Sequence, residues 1–543
     1  MNNYARLRLL SAVRPTLALM AGLALAPATL AQDGPAPAPA TPAQDSPTLA
    51  QAAPAQDSPT LAPAAPAQDS PAPAPAAPVP ESPAPAPAAP VQPAAVVQTP
   101  AAPSAAEPAP LPPLPASAPL ASASAAAPTA IIPAGPPRQS PIVTAEEAGF
   151  GISSRDGAYQ VRIHGQLQVD GRAFFANPAL RESDTFLVRR ARPTIEVTLA
   201  GLADALITPD FAGGTAQLYD AYIDLHPLPW LRLRAGKFKP PVGLERLQSD
   251  NNLVFTERAL DQDLTAQRDI GAQLWGDAAG GILRYEAAIL NGVPDSGLND
   301  TGGAFSKSLA GRLFVQPFAL PPLRGLGRLG VGFAAETGDE TGSSAITGGA
   351  ATGTWLPTYK SIGQNTIFSY LTSTTDPTQN VIALNRHTRL NPQIYYYYGP
   401  AGLEAEYLFE SQGVAKNGVA TELHNSAGHL TLAYVIGGNC SYEGPRVKKP
   451  FSLATGTLGA LELGARYSRL AIDSAAFPAL ADPTKSITTA NAFGFALNWY
   501  LTQSLRVAVT YDQTTFDGGA KSGTITADRT GEKVLIARLQ VGY

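Results

Sequence analysis

The sequence predicts an all-β fold: a transmembrane antiparallel β-barrel of about sixteen strands, preceded by a disordered Pro/Ala-rich segment. Three observations predict it. From Ala158 to the C-terminus the chain alternates polar and apolar residues with period two. The polar faces carry Arg, Glu and Gln at mid-strand, while the opposite faces are almost purely apolar. The connections between alternating segments are short and long in turn, as in a barrel with tight turns at one rim and loops at the other.

The elements follow in chain order. Arg6, Arg8 and Arg14 precede an apolar run at residues 17–25, and small residues lead to Ala31. This is the pattern of a cleaved secretory signal over residues 1–31, and the run is too short to span a bilayer. Residues 32–141 hold 32 of the chain's 53 Pro, with Ala as their main companion. PAQDSPTLA at residues 42–50 recurs at 54–62, a tandem repeat in a tract with too little bulky apolar surface for a core. We expect a disordered or polyproline II linker there, either a periplasmic spacer with a peptidoglycan contact or a tolerated low-complexity expansion. Residues 142–543 form the expected barrel domain.

Composition excludes several classes. Charged residues are 15% of the chain, against roughly 25% in a soluble domain. The formal net charge of −5 argues against a nucleic-acid partner. One Cys permits no intrachain disulfide, and five His and two Met leave little for a metal or haem site, so no cofactor and no metal are expected. His424 and His429 fall on opposite faces of a strand and make a poor metal pair. Asp250, Asn251 and Asn252 read as a polar loop tip, and Cys440 as an inert thiol in a loop.

Within 142–543 the alternation is clear at several places. Val161, Ile163, Leu167 and Val169 oppose Arg162, His164, Gln166 and Gln168; Leu505, Val507 and Val509 oppose Arg506 and Thr510. Short connections are expected at residues 226–230, 277–281, 399–402 and 501–504. Long ones are expected at 238–266, 338–365, 437–457 and 516–531. Aromatic residues gather near strand ends, as at residues 395–398 and at Trp230, where an interfacial girdle lies. The outer face then meets outer-membrane lipid and lipopolysaccharide.

Several stretches resemble the phosphate-selective porin O/P family. They are LVRRARP (residues 187–193), DAYIDLHPLPWLRLRAGKFKPPVGLERLQS (220–249), TERALDQDL (256–264), RDIGAQLWG (268–276), NPQIYYYYGPAGLEAEY (391–407), LELGARYSRL (461–470) and FALNWYLT (495–502). The resemblance covers about residues 150–543 and leaves the Pro/Ala tract without a counterpart. It implies a sixteen-stranded barrel, usually a homotrimer in the outer membrane, with loops folded into the lumen. It also implies passive uptake of small anionic solutes, often phosphate.

The residues able to carry such chemistry are mostly arginines, always charged and able to fork onto anions. Parity places Arg162, Arg190, Arg192, Arg232, Arg234, Arg284, Arg312, Arg466, Arg506 and Arg538 on the polar side. Arg190, Arg192, Arg232 and Arg234 could form an anion ladder. Arg189 has outward parity and is expected near an interface or at a local irregularity. Glu196, Asp220, Asp224, Asp269, Glu286, Glu404, Glu406 and Glu462 share the inner face, so structural ion pairs are the competing reading. Residues 238–266 are the constriction-loop candidate. Lys239, Arg246 and Arg258 there face Glu245, Asp250, Glu257, Asp261 and Asp263, a net charge of −2. The candidate pore-lining set is therefore Arg190, Arg192, Arg232, Arg234, Lys239, Arg246, Arg258, Arg466 and Arg506. A barrel hydrolase would need a nucleophile and base at a strand end, and no such set stands out. The third alternative is a structural barrel tethered by its Pro/Ala arm.

Deleting residues 32–141 is expected to leave channel conductance unchanged, because that tract shares neither alternation nor core with the barrel. Lost conductance at a normal membrane level, measured in planar bilayers, would make the arm part of the pore.

Overall fold

The computed structural model describes residues 140–146, 149–175, 184–298, 300, 307–319 and 325–543. The expected signal segment, and all of the expected linker except Ser140 and Pro141, lie outside the described residues.

Sixteen antiparallel strands close into a barrel. They are β1 (Gln160–Phe174), β2 (Thr185–Leu199), β3 (Ala203–Asp210), β4 (Gln217–Leu228), β5 (Leu231–Phe238), β6 (Asp269–Ala278), β7 (Leu283–Leu290) and β8 (Ser308–Val315). The second half is β9 (Leu329–Thr341), β10 (Val381–Tyr398), β11 (Ala401–Lys416), β12 (Val419–Ile436), β13 (Ala460–Ala471), β14 (Ile487–Tyr500), β15 (Leu505–Ser522) and β16 (Glu532–Gly542). Each pairs with its neighbours in sequence, and β16 returns to β1 from Val534↔Phe174 to Gly542↔Gln166. Gly165 and Tyr543 then exchange backbone hydrogen bonds of 2.7 and 3.0 Å at the seam. Closure leaves no unpaired edge, the condition for a sheet to lie in hydrocarbon. A short hairpin, Ile142–Glu146 with Gly149–Ser153, extends the sheet on the first four residues of β1.

The period-two pattern becomes two faces. Along β14, Phe493, Phe495 and Leu497 are exposed, while Ala490, Ala492, Ala496 and Asn498 are buried inward. β10 and β12 have 18 residues each, about 60 Å of strand, so even when tilted they rise beyond a hydrocarbon layer about 30 Å thick. Trp230, Tyr398 and Tyr434 stand exposed where strands meet the turn rim.

The two rims depart from the expected short–long order at two places. Residues 437–459, counted among the external loops from sequence, lie at the turn rim. Cys440 N–H donates to Gly399 in the β10–β11 turn, and Tyr442 stacks on Tyr395 at 5.2 Å. At the opposite rim β11 and β12 join through Asn417 and Gly418 alone. Length by itself therefore misassigns the rim; counting strands from β1 assigns it. Cys440 is buried and free, its thiol donating to Pro400 O at 3.0 Å.

An apolar core fills part of the loop rim. Val242, Leu260 and Leu264 of the β5–β6 connection pack with Tyr359, Ile367 and Phe368 of residues 342–380 and with the wall residues Leu408, Leu423 and Leu470. This core is why residues 239–268 fold into the barrel rather than outward.

Arginine placed on the outer belt should test the lipid-facing assignment. Phe493→Arg is expected to destabilise the folded barrel by about 2–4 kcal/mol, as for a cation at mid-bilayer. Urea unfolding in lipid vesicles measures it, and a cost near zero would contradict the outward placement.

Candidate constriction site

Residues 239–268 begin at Gly243, whose φ of +85° turns the chain inward into a four-residue helix, Leu244–Leu247. The segment is then carried along the inner wall by hydrogen bonds from both sides. Leu244 and Glu245 N–H donate to the Glu406 carboxylate at 2.6 and 2.9 Å, and Gln248 donates to Glu404 at 2.9 Å. Wall arginines cap the loop's own carbonyls: Arg506 on Leu253, Arg538 on Thr256 and Arg466 on Glu257, at 2.6, 2.6 and 2.8 Å. Gly464 and Gly494 make the recess: a Cβ on either would stand 2.5 Å from Val254 or 2.7 Å from Phe255.

Two loop carboxylates lock the arrangement. Asp250, buried rather than at an exposed tip, receives Arg192 at 2.5 Å, Arg258 at 2.8 Å and Arg190 at 3.2 Å. Burial pushes its carboxyl up, but Arg190, Arg258 and Arg192 outweigh that and hold it well below the usual carboxylate range. Glu257 receives Arg189 at 2.6 Å, Arg172 at 2.8 Å and Arg538 at 3.4 Å. Arg189 reaches the lumen because the β1–β2 register shifts between Gln168 and Val169, so the strand carries one extra residue there. That bulge is the local irregularity its parity called for.

Two cavities flank the loop, about 840 Å³ toward the turn rim and about 980 Å³ toward the loop rim. Both are lined by Arg192, Tyr219, Asp250 and Arg268, which form the neck between them. Tyr219 lies between two guanidinium groups, Arg192 at 3.5 Å and Arg268 at 4.2 Å from its ring centroid. Its hydroxyl donates to Gln267 at 3.0 Å. Arg192 is also held by Asp210 at 2.6 Å, and Arg268 by Asp220 at 2.6 Å. Lys239 and Arg246 differ. They donate to the loop carbonyls of Gln248 and Gln262, each at 2.6 Å, and neither forms an ion pair among the described residues.

The structure sorts the candidates accordingly. Arg190, Arg192, Lys239, Arg246 and Arg258 come together around the neck. Arg232 and Arg234 do not join them: both grip Asp224, at 3.4 and 2.7 Å, beneath the Trp275 ring, and only Arg234 lines a cavity. Arg466 and Arg506 line neither cavity and hold the loop from behind. Sequence reasoning passed over Tyr219 and Arg268. Tyr219 turns inward at the register shift between Thr208 and Pro209, and Arg268 ends the loop one residue before β6.

The family described as phosphate-selective porin O and P matches residues 161–543. No curated protein is matched. Among solved structures, the anion-selective porin from Comamonas acidovorans is 10% identical with a TM-score of 0.44, covering 71% of this chain and 100% of that one. The outer-membrane channel DcaP of Acinetobacter baumannii is 11% identical with a TM-score of 0.43, covering 72% and 99%. OmpT of Vibrio cholerae, folded in vitro, is 11% identical with a TM-score of 0.42, covering 71% and 98%. With a family match spanning the whole ring of strands from β1 to β16, the chain belongs to the phosphate-selective porin O and P family and is an outer-membrane porin.

Proposed function

We propose that this porin passes small hydrophilic solutes by diffusion, with a modest preference for anions set at the neck. One observation carries the reading: Lys239 and Arg246 bring positive charge to the constriction with carbonyls and the Thr265 hydroxyl as partners, and no carboxylate among the described residues. Around the neck, Arg189, Arg190, Arg192, Arg258 and Arg268 are shared among Asp210, Asp220, Asp250 and Glu257. The excess is small because most arginines already hold a carboxylate. It favours anion entry without the dense cationic cradle that tight phosphate binding needs. The same reading includes a homotrimer in lipid and lipopolysaccharide, export by a cleaved signal over residues 1–31, and peptidoglycan contact through residues 32–141. Catalysis has no part in it.

Reversal potential in a salt gradient tests the preference. The Lys239→Gln, Arg246→Gln double variant keeps hydrogen-bond donors for the loop carbonyls but loses both charges. At about 1 kcal/mol per charge in a wet pore, each removal is expected to lower the anion/cation permeability ratio about fivefold at most. Arg232→Gln with Arg234→Gln is expected to shift it less, since Asp224 already offsets half of that charge. Equal shifts from the two double variants would contradict selection at the neck.

Millimolar phosphate is expected to block the wild-type chloride current weakly or not at all. Strong block would mean that the neck arginines release their carboxylates to bind phosphate.

A further inference from the structure

Behind the constriction loop, away from the neck, four carboxylates gather about one imidazole. Glu406 and His429 are cross-strand partners on β11 and β12, Glu404 faces Thr431 one pair further along, and Asp261 and Glu245 come from the loop. His429 is fully buried. Its Nδ1 lies 3.0 Å from both oxygens of Asp261, so this nitrogen carries the proton and donates. In the neutral ring, Nε2 is then a bare acceptor.

The other polar atoms of the group are satisfied. Glu406 accepts from Leu244, Glu245, Gln262 and Asn391. Glu404 Oε2 accepts from Gln248 at 2.9 Å and from Tyr397 at 3.0 Å. What remains is His429 Nε2 facing Glu404 Oε1 at 3.9 Å, both buried and both without a partner, with Thr431 Oγ1 in the same condition. A cavity of about 20 Å³, lined by Glu245, Gln248, Glu404 and Thr431 among others, adjoins them. That is room for one water-sized species. With the ring neutral, two lone pairs face each other across this gap, and either a proton on Nε2 or a metal ion fills it. Of the Lys and Arg side chains among the described residues, Arg466 alone pairs with these carboxylates, at 3.6 Å from Glu245.

We propose that His429 Nε2 and Glu404 Oε1 hold one divalent transition-metal ion of the zinc class, next to the small cavity that Glu404 shares with Thr431 and Glu245. Imidazole and carboxylate together select zinc, cobalt or manganese over calcium or alkali ions. Ligand distances of about 2.1 Å place two donors about 3.4 Å apart in a tetrahedral site, a shift of about 0.5 Å from the observed separation. Asp261 on Nδ1 is the outer carboxylate that fixes the tautomer of a metal-bound histidine. Because Asp261 belongs to the loop, the ion ties the constriction to the barrel wall. His424, read from the sequence as a poor metal partner for His429, is exposed on the other face of β12.

Purified full-length barrel, stripped with chelator and dialysed against zinc, should retain one equivalent per chain by elemental analysis. Cobalt should give the visible absorption of a low-symmetry site. Glu404→Gln and His429→Gln should lose the ion while keeping a heat-modifiable folded band. Asp261→Asn should weaken binding about 10- to 100-fold, and Glu462→Gln, elsewhere on the wall, should leave it unchanged. A folded wild type that retains no zinc or cobalt overturns the proposal, because the cluster is then an imidazolium pair. So does retention undiminished in Glu404→Gln.

Discussion

The grip of wall arginines on two loop carboxylates, Asp250 and Glu257, is the interaction on which the rest of the pore depends. A sixteen-stranded barrel on its own encloses an open aqueous channel. Here the channel is narrowed because a 30-residue connection leaves β5, crosses the lumen and lies against β10 to β16. Its backbone carbonyls would be costly to bury there without donors. Arg466, Arg506 and Arg538 supply those donors, and Arg189, Arg190, Arg192 and Arg258 close on the two carboxylates. The apolar contacts of Leu260 and Leu264 then seat the loop's far half. Strand pairing builds the wall, and these charged contacts decide how wide the wall's interior remains.

Such contacts are not simply stabilising. Desolvating an ion pair costs several kcal/mol per ion, and the mutual attraction repays it only with good geometry and full hydrogen bonding. Asp250 and Glu257 meet that condition by each receiving three guanidinium groups. Surplus positive charge around these two carboxylates keeps them ionised in a protein interior. A loop of net charge −2 can then stand at a neck crowded with arginines, because Asp250 and Glu257 are each matched by several guanidinium groups.

The barrel was legible in the sequence because period two survives wherever one face meets lipid and the other meets water. Phe493, Phe495 and Leu497 face outward as alternation requires, and the strand number follows. The rims were less legible. Residues 437–459 are long but belong with the turns, and Asn417–Gly418 is short but belongs with the loops, since length does not encode direction. Inside the lumen, parity identified the arginines facing inward but not their partners. The outward parity of Arg189 pointed to an irregularity, which is the bulge in β2, whereas Tyr219 escaped because nothing in the local sequence announces the extra residue in β4. The loop's net charge of −2 left its effect on anions open, because sequence gives the sum of the charges and not the side on which each is neutralised.

That difference between sum and placement governs selectivity. An arginine bound to a carboxylate presents a dipole to a passing ion, and its field falls away within a few Å in a salt-filled pore. A cation held by carbonyls has no acid beside it to offset its charge, while the carbonyls fix its position. Lys239 and Arg246 are of this second kind, with Nζ on Leu247 and Gln248 and the guanidinium on Gln262 and Thr265. Arg232 and Arg234, prominent in the sequence as alternating residues of one strand, share Asp224 and stack about Trp275. These contacts link β4 to β6. On the reading proposed above, the pore's preference rests on the few cations that the fold leaves without an acid.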